Sequence, residues 1–327
     1  MKAVGLNKFG GPEVLELLDL PDPNQPGPEE ILIQVEAMGV NRADLVIRQG
    51  VYPMGRNFPI VPGFEVAGKV KELGNKVTDF KKGERVFALV DINGYSEFIN
   101  VHQNLVLPIP ENLSSSEAAG IPTVFYTVWI TLFKKANLQK GDTVLIHAGG
   151  SGVGVAAIQL AKYFGAIITT TASTSEKLQR AHEYGADFGI NYTQQDFAAE
   201  MKKITEGKGA DIILDGIGAS TLTGNILSIA KGGRLILIGG GGVGGLEGSI
   251  HLGRVFMRNV SIIGFNLHGQ GTKLHDYLKE FKKEILPLFA QGKIVSVIDK
   301  VFPMKEAKEA HIYLEERKNF GKVVLRP

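Results

Sequence analysis

Two rhythms of apolar and polar positions divide the chain. Up to about Pro122, short runs at residues 3–6, 14–18, 31–37, 67–73, 85–89 and 97–101 are rich in alternating or β-branched apolar residues. Gly-Gly-Pro, a proline-rich stretch over 21–28, Lys-Lys-Gly and Gly-containing turns cut them apart. Such spacing predicts short strands joined by turns, a compact β-barrel-like domain without internal repeats. Within it only NRADLVIRQG, residues 41–50, reads as a helix. Beyond Pro122, predicted strands at 143–147, 166–171, 188–191, 212–214, 234–238 and 261–265 alternate with helical stretches, as in a doubly wound parallel sheet. An amphipathic segment at 273–291 then leads to two β-like runs, 296–302 and 322–325, which resemble the opening domain. The expected fold is therefore α/β, with residues 1–122 and 267–327 in one domain and 123–266 in the other.

The stretch GDTVLIHAGGSGVG at residues 141–154 runs from a turn through a β-branched strand into glycine, and a helical segment follows it. The order strand, glycine turn, helix sets unpaired helix N-terminal amides where a pyrophosphate can sit. Gly149, Ser151 and Gly154 fill the places of a G-x-G-x-x-G fingerprint, with serine in the second. The simpler alternative is a glycine-rich connector between strand and helix.

About twenty residues further on, an NAD-binding chain usually offers Asp or Glu to the ribose. Here the strand end reads Thr171, Ala172, Ser173, Thr174, Ser175 and, one residue beyond Glu176, Lys177. Hydroxyls followed by a cation suit a 2′-phosphate, so NADPH is the expected cofactor. A charge-assisted hydrogen bond contributes about 1.5–3 kcal/mol, so one or two would favour NADPH over NADH by about ten- to a hundredfold or more. Glu176 opposes this, and its place inside the next helix is expected to point it away. Ser173 to Ser175 also read as caps of that helix.

Composition narrows the classes of function. The chain has 327 residues, enough for two cores, and a net charge of +2 with both signs interspersed. That balance gives no electrostatic case for nucleic acid or an anionic membrane as principal partner. There is no cysteine, which excludes disulfides, thiolate zinc sites, iron–sulfur clusters and a cysteine nucleophile. The seven histidines, at 102, 147, 182, 251, 268, 275 and 311, lack H-E-x-x-H spacing, and His147 reads as a packed strand-end residue. The first residues alternate and carry charges, and no stretch reaches the ~20 apolar residues of a membrane span, so a cytoplasmic protein is expected. The apolar strand SIIGF, 261–265, is expected at a sheet edge, where pairing with its copy would make a homodimer.

Taken together, GVNRADLVIRQGVYP at 39–53, PGFEVAG at 62–68, HAGGSGVG at 147–154 and INY at 190–192 resemble the medium-chain dehydrogenase/reductase superfamily. Within it the chain resembles the zinc-free quinone oxidoreductase, ζ-crystallin-like branch, most closely the p53-inducible quinone oxidoreductase type, over essentially its whole length. The resemblance implies a GroES-like β-rich domain and a Rossmann domain. Zinc-dependent relatives carry cysteine and histidine where Asn41 and Phe64 stand here, and Glu65 alone is no site, so no metal is expected.

At matching positions the resemblance implies that Gly152, Val153 and Gly154, with Ser151 beside them, meet the pyrophosphate. Ser173, Lys177 and Tyr192 would surround the 2′-phosphate, although Tyr192 also reads as strand-end packing. Arg317 would reach the cofactor, or else be a solvated helix charge. On the nicotinamide side stand Asn41, Asp44 and Tyr52, with Thr127 at the crossing between domains and Gly239, Gly240 and Asn266 at the sheet edge. The run GGGGVGG, 239–245, would form a rim there. Asn41 and Tyr52 are the catalytic candidates: the amide can donate to a substrate oxygen, and the phenol can stack on or hydrogen-bond to a flat acceptor. Asp44 reads better as the residue that holds the Asn41 turn.

The implied activity is zinc-independent hydride transfer from NADPH, bound in the cleft between domains, to a small quinone or related conjugated carbonyl. One-electron and two-electron quinone reduction both stay open. Reduction of an alkenal or enone across its double bond is the neighbouring alternative, with Tyr52 or solvent as proton source. Readings of another class are binding of A/U-rich RNA, as in some ζ-crystallin relatives, or an NADPH-binding sensor without turnover.

Overall fold

Residues 1–52, 57–239 and 244–327 are described in the computed structural model of the chain. The first rhythm becomes strands β1 (Lys2–Gly5), β2 (Glu16–Asp19), β3 (Glu30–Val40), β4 (Glu65–Leu73), β5 (Arg85–Leu89), β6 (Phe98–His102) and β7 (Val106–Pro108). The expected helix forms at Arg42–Arg48. The second rhythm becomes β8 (Thr143–Ile146), β9 (Ile167–Ala172), β10 (Phe188–Asn191), β11 (Ala210–Asp215), β12 (Ile229–Ile238) and β13 (Ser261–Phe265). The chain closes with β14 (Ile298–Pro303) and β15 (Lys322–Arg326). The chain forms two compact units, Met1–Tyr126 with Gly271–Pro327, and Thr127–Gln270.

In the first unit β3 is the hub. Its eleven residues pair antiparallel with β4 on one side and, on the other, with β6 along one half and β15 along the rest. The sheet has seven strands in the order β14-β15-β3-β4-β5-β7, with β6 on β3. The last strand thus returns to the first part of the chain, Val323 opposite Val40 and Val324 opposite Gly39. Residues such as Ile31, Ile33, Val66, Val86, Tyr95 and Val323 fill its core.

The second unit holds a six-stranded parallel sheet in the order β10-β9-β8-β11-β12-β13. Counted within the unit that order is 3-2-1-4-5-6, the doubly wound dinucleotide-binding topology. All four residues of β8 are buried, as the unbroken apolar run demands of a central parallel strand. β13 lies at the sheet edge, and most of its residues are exposed or half-exposed. No described helix is long and apolar enough to cross a membrane.

Two local expectations change. The amphipathic segment at 273–291 is two helices, Lys273–Glu284 and Leu286–Ala290, because Pro287 lacks an N–H and its ring cannot follow the preceding turn. Arg317 is not a helix charge: it stands beyond the helix Ala307–Glu315 in the left-handed region, at φ 56.

Candidate active site

β8 ends at Ile146, and the chain passes His147 and turns through Ala148, at φ 54, into the glycines. The Gly149 N–H donates to the Thr171 carbonyl (2.9 Å), which ties the turn to the neighbouring strand. Ser151 caps the helix Gly152–Tyr163, its hydroxyl accepting from the Gly154 N–H (3.0 Å). Gly152 and Val153 in that first turn have no acceptor inside the helix, so their N–H groups face an incoming anion with the positive end of the helix dipole. A Cβ on Gly154 would overlap the Ala148 carbonyl oxygen and the Gly149 Cα. Strand, turn and helix approach closely here and form a cradle of backbone, whose free first-turn amides are a donor set that would fit a dinucleotide pyrophosphate.

Beneath the cradle runs a buried hydrogen-bonded chain. His147 Nε2 meets Asn225 Oδ1 (2.8 Å), His147 Nδ1 meets Thr171 Oγ1 (3.1 Å), and Asn225 Nδ2 donates to Asp215 (2.5 Å). Burial lowers the His147 pKa, so the ring is neutral and acts as a strut, the packed role read from its position.

Parallel strands deliver the other nucleotide-side candidates to the C-terminal ends of the same sheet. Thr174 caps the helix Ser175–Glu183 and accepts from the Lys177 N–H, with half-buried Ser173 just before it. Asn191 is paired with Ala172, and the Tyr192 N–H donates to the Ala172 carbonyl (3.2 Å), bringing Tyr192 to the Ser173 end of β9. The Tyr192 side chain is exposed, as is Glu176 in the first helical turn. Ile238 is paired with Phe265, so Gly239 and Asn266 leave the sheet side by side. The Asn266 Oδ1 accepts from the His268 N–H (3.1 Å). Thr127 is buried, and its carbonyl accepts from Thr131 Oγ1. Gly240 lies outside the described residues. Arg317 belongs to the first unit, with the Arg42 guanidinium in its electrostatic reach.

In the first unit the Asn41 turn is held from several directions. Asp44 accepts from the Asn41 N–H (2.7 Å), the Gly63 N–H (2.9 Å) and the Tyr95 hydroxyl (3.0 Å). It therefore does hold the turn. Burial pushes its carboxyl up to about 7 in spite of those donors. The Asn41 Nδ2 donates to Glu65 Oε1 (2.8 Å), and Lys322 Nζ donates to Asn41 Oδ1 (2.8 Å) and to Glu65 Oε1 (2.5 Å). A Cβ on Gly39 would overlap the Glu65 carboxylate, so glycine makes the room in which this cluster forms. The half-buried Tyr52 ring lies 6.0 Å from that of Phe64, at 52°.

The same cluster is a poor zinc site. An amide, a phenyl ring and a carboxylate already engaged by an ammonium stand where thiolate and imidazole would be needed. Among the described residues no three His, Asp or Glu side chains gather as metal ligands. The sequence reading missed Lys322 altogether. Its only signal was a cation opening an apolar strand, VVL, that has to pair within a sheet.

Comparison with known proteins agrees with the fold. Residues 152–286 match the family described as zinc-binding dehydrogenase, and residues 27–111 the alcohol dehydrogenase GroES-like domain. A quinone oxidoreductase of Sus scrofa is 32% identical over 336 residues, covering 99% of this chain and 97% of its own. The crystal structure of Escherichia coli quinone oxidoreductase complexed with NADPH superposes with a TM-score of 0.93 at 30% identity, covering 100% of both chains. The structure of CurK enoyl reductase gives a TM-score of 0.89 at 29% identity, covering 99% of this chain and 98% of that one.

Proposed function

Because the chain belongs to the medium-chain dehydrogenase/reductase superfamily, in its quinone oxidoreductase branch, we propose that it is an NADPH-dependent, zinc-independent reductase of small quinones or related conjugated carbonyls. The observation that carries the reading is the polar cluster at Asn41, where an amide and a carboxylate already engaged by an ammonium stand in place of zinc ligands; the glycine turn at Ser151 to Gly154 supports the cofactor. NADPH, when bound, supplies the hydride. The chain binds and orients. Gly152 and Val153 offer amides to the pyrophosphate; Ser173, Lys177 and Tyr192 accommodate the 2′-phosphate. Thr127, Gly239, Gly240, Asn266 and Arg317 complete the proposed cofactor contacts.

On the acceptor side the Asn41 Nδ2 donates to the oxygen that gains negative charge, while Tyr52 offers a ring face to a flat acceptor. A donor fixed before reaction stabilises that charge without reorganising. The enoyl reductase likeness supports a second reading, reduction of an enone or alkenal by the same cofactor site.

One assay separates them: oxidation of NADPH and of NADH by the chelator-treated protein, with an ortho-quinone, a para-quinone and a short alkenal. NADPH-preferring quinone turnover is expected. Turnover of the alkenal alone would move the assignment to double-bond reduction, and NADPH binding with no turnover would replace catalysis by sensing.

We also propose a homodimer through β13. The edge strand is accompanied by an exposed apolar row on the helix Leu252–Met257, where Leu252, Phe256 and Met257 are each about two-thirds or more exposed. Analytical ultracentrifugation at micromolar concentration should give a dimer; a monomer there refutes it.

A further inference from the structure

The polar atoms around Asn41 form a nearly saturated set. Lys322 Nζ has three protons and three acceptors: the Val40 carbonyl (3.1 Å), Asn41 Oδ1 (2.8 Å) and Glu65 Oε1 (2.5 Å). Glu65 uses Oε1 for Lys322 and Asn41, and Oε2 for the Thr123 N–H (2.8 Å). Lys322 is 4% exposed and Glu65 0%, so neither charge leans on solvent. The carboxamide of Asn41 has two orientations of nearly equal shape. Here only one is compatible with its neighbours, because an ammonium can only donate and a carboxylate can only accept. Turned over, the carboxamide would present Oδ1 to the carboxylate and Nδ2 to the ammonium, two repulsive contacts in place of two hydrogen bonds.

We propose that Lys322 and Glu65 are positioning residues, which fix the Asn41 carboxamide so that its one remaining N–H is a permanent donor to the acceptor's carbonyl oxygen. The inference rests on the reading of Asn41 as the acceptor-side donor and deepens it. Burying an ion pair is a poor way to gain stability, since apolar residues of similar volume often do as well. A function for the pair lies in direction: it selects acceptors that present a lone pair at that point, as a quinone or enone carbonyl does.

The test is the double variant Lys322→Met with Glu65→Gln, which removes both charges and leaves no unpaired buried ion. The Gln side chain can accept or donate, so it no longer dictates the orientation of Asn41. With the quinone that the wild-type enzyme turns over, kcat is expected to fall about 10- to 100-fold, with KM for NADPH unchanged and Tm close to wild type. A purely structural pair would leave kcat within about twofold in the folded variant, well short of the loss from removing one fixed donor.

A second readout does not need turnover. The side-chain ¹⁵N–¹H₂ resonances of Asn41, assigned by their loss in Asn41→Ala, should be well separated and slow to exchange in the wild type. In the double variant they should draw together and exchange fast. Unchanged resonances overturn the proposal. If the wild type reduces no quinone or enone, the functional reading fails, and the resonances still decide the positioning.

Discussion

The phosphate cradle and the Asn41 cluster are built in opposite ways. The cradle is backbone: a turn, a serine cap and the first amides of a helix, all between His147 and Gly154. The cluster is side chains, drawn from residues that are 24 positions apart for Asn41 and Glu65 and 281 apart for Asn41 and Lys322. A site made from backbone depends on what its residues lack, and glycine serves it. A site made from converging charges depends on every partner, since deleting one leaves the others buried without compensation. The two therefore should fail differently: the cradle in ligand affinity, the cluster in stability.

Lys322→Met gives the largest expected effect. It strands the Glu65 carboxylate in the core, and urea unfolding should report a loss of about 3–5 kcal/mol, most of it recovered when Glu65→Gln is added. Gly154→Ala comes next. Its Cβ would overlap the Ala148 carbonyl, so the turn must shift. Calorimetric titration should show NADPH affinity reduced about 100-fold, close to 2.7 kcal/mol, with a smaller change in unfolding free energy than Lys322→Met causes. A mutant that unfolds but binds normally would dissolve the distinction.

The smallest effect concerns pH. In the core beside the Asn41 turn, the Tyr95 hydroxyl bridges Asp44 and His311 Nε2, at 3.0 and 3.2 Å. Burial raises the Asp44 carboxyl from 3.8 to about 7. Burial, with the Arg48 charge, lowers the His311 imidazole from 6.5 to about 3. Asp44 binds its proton more tightly in the folded state, so its contribution is full below 3.8 and is lost as pH rises through 7. His311 binds its proton less tightly when folded, so its contribution is full above 6.5 and is lost as pH falls through 3. In the shared window the two slopes oppose. Between about pH 4.5 and 6, Asp44→Asn should make the dependence of unfolding free energy on pH more positive by about 1.4 kcal/mol per unit, and His311→Gln more negative by the same amount. Equal slopes in all three proteins would show that neither group carries the linkage.

The same contrast explains what the sequence disclosed. The parallel sheet was legible because each strand and helix announces itself over a few residues, and the glycine turn at 149–154 lies between two such announcements. Asp44 was legible as a turn holder because its partner is three residues away. Glu65 and Lys322 were not. Nothing local to either names the other, and a lysine before Val323 reads as an ordinary strand end until β15 is laid against β3. The break at Pro287 was missed for a different reason: the amphipathic rhythm continues across it, and only the missing N–H divides the helix.

The late arrival of Lys322 also orders events in time. A ribosome delivers strands β8 to β13 before this ammonium exists, so the nucleotide-binding sheet has all its residues while Glu65 still waits for its cation. A message cut short ahead of β15 yields a polypeptide in which the Glu65 carboxylate never meets its ammonium.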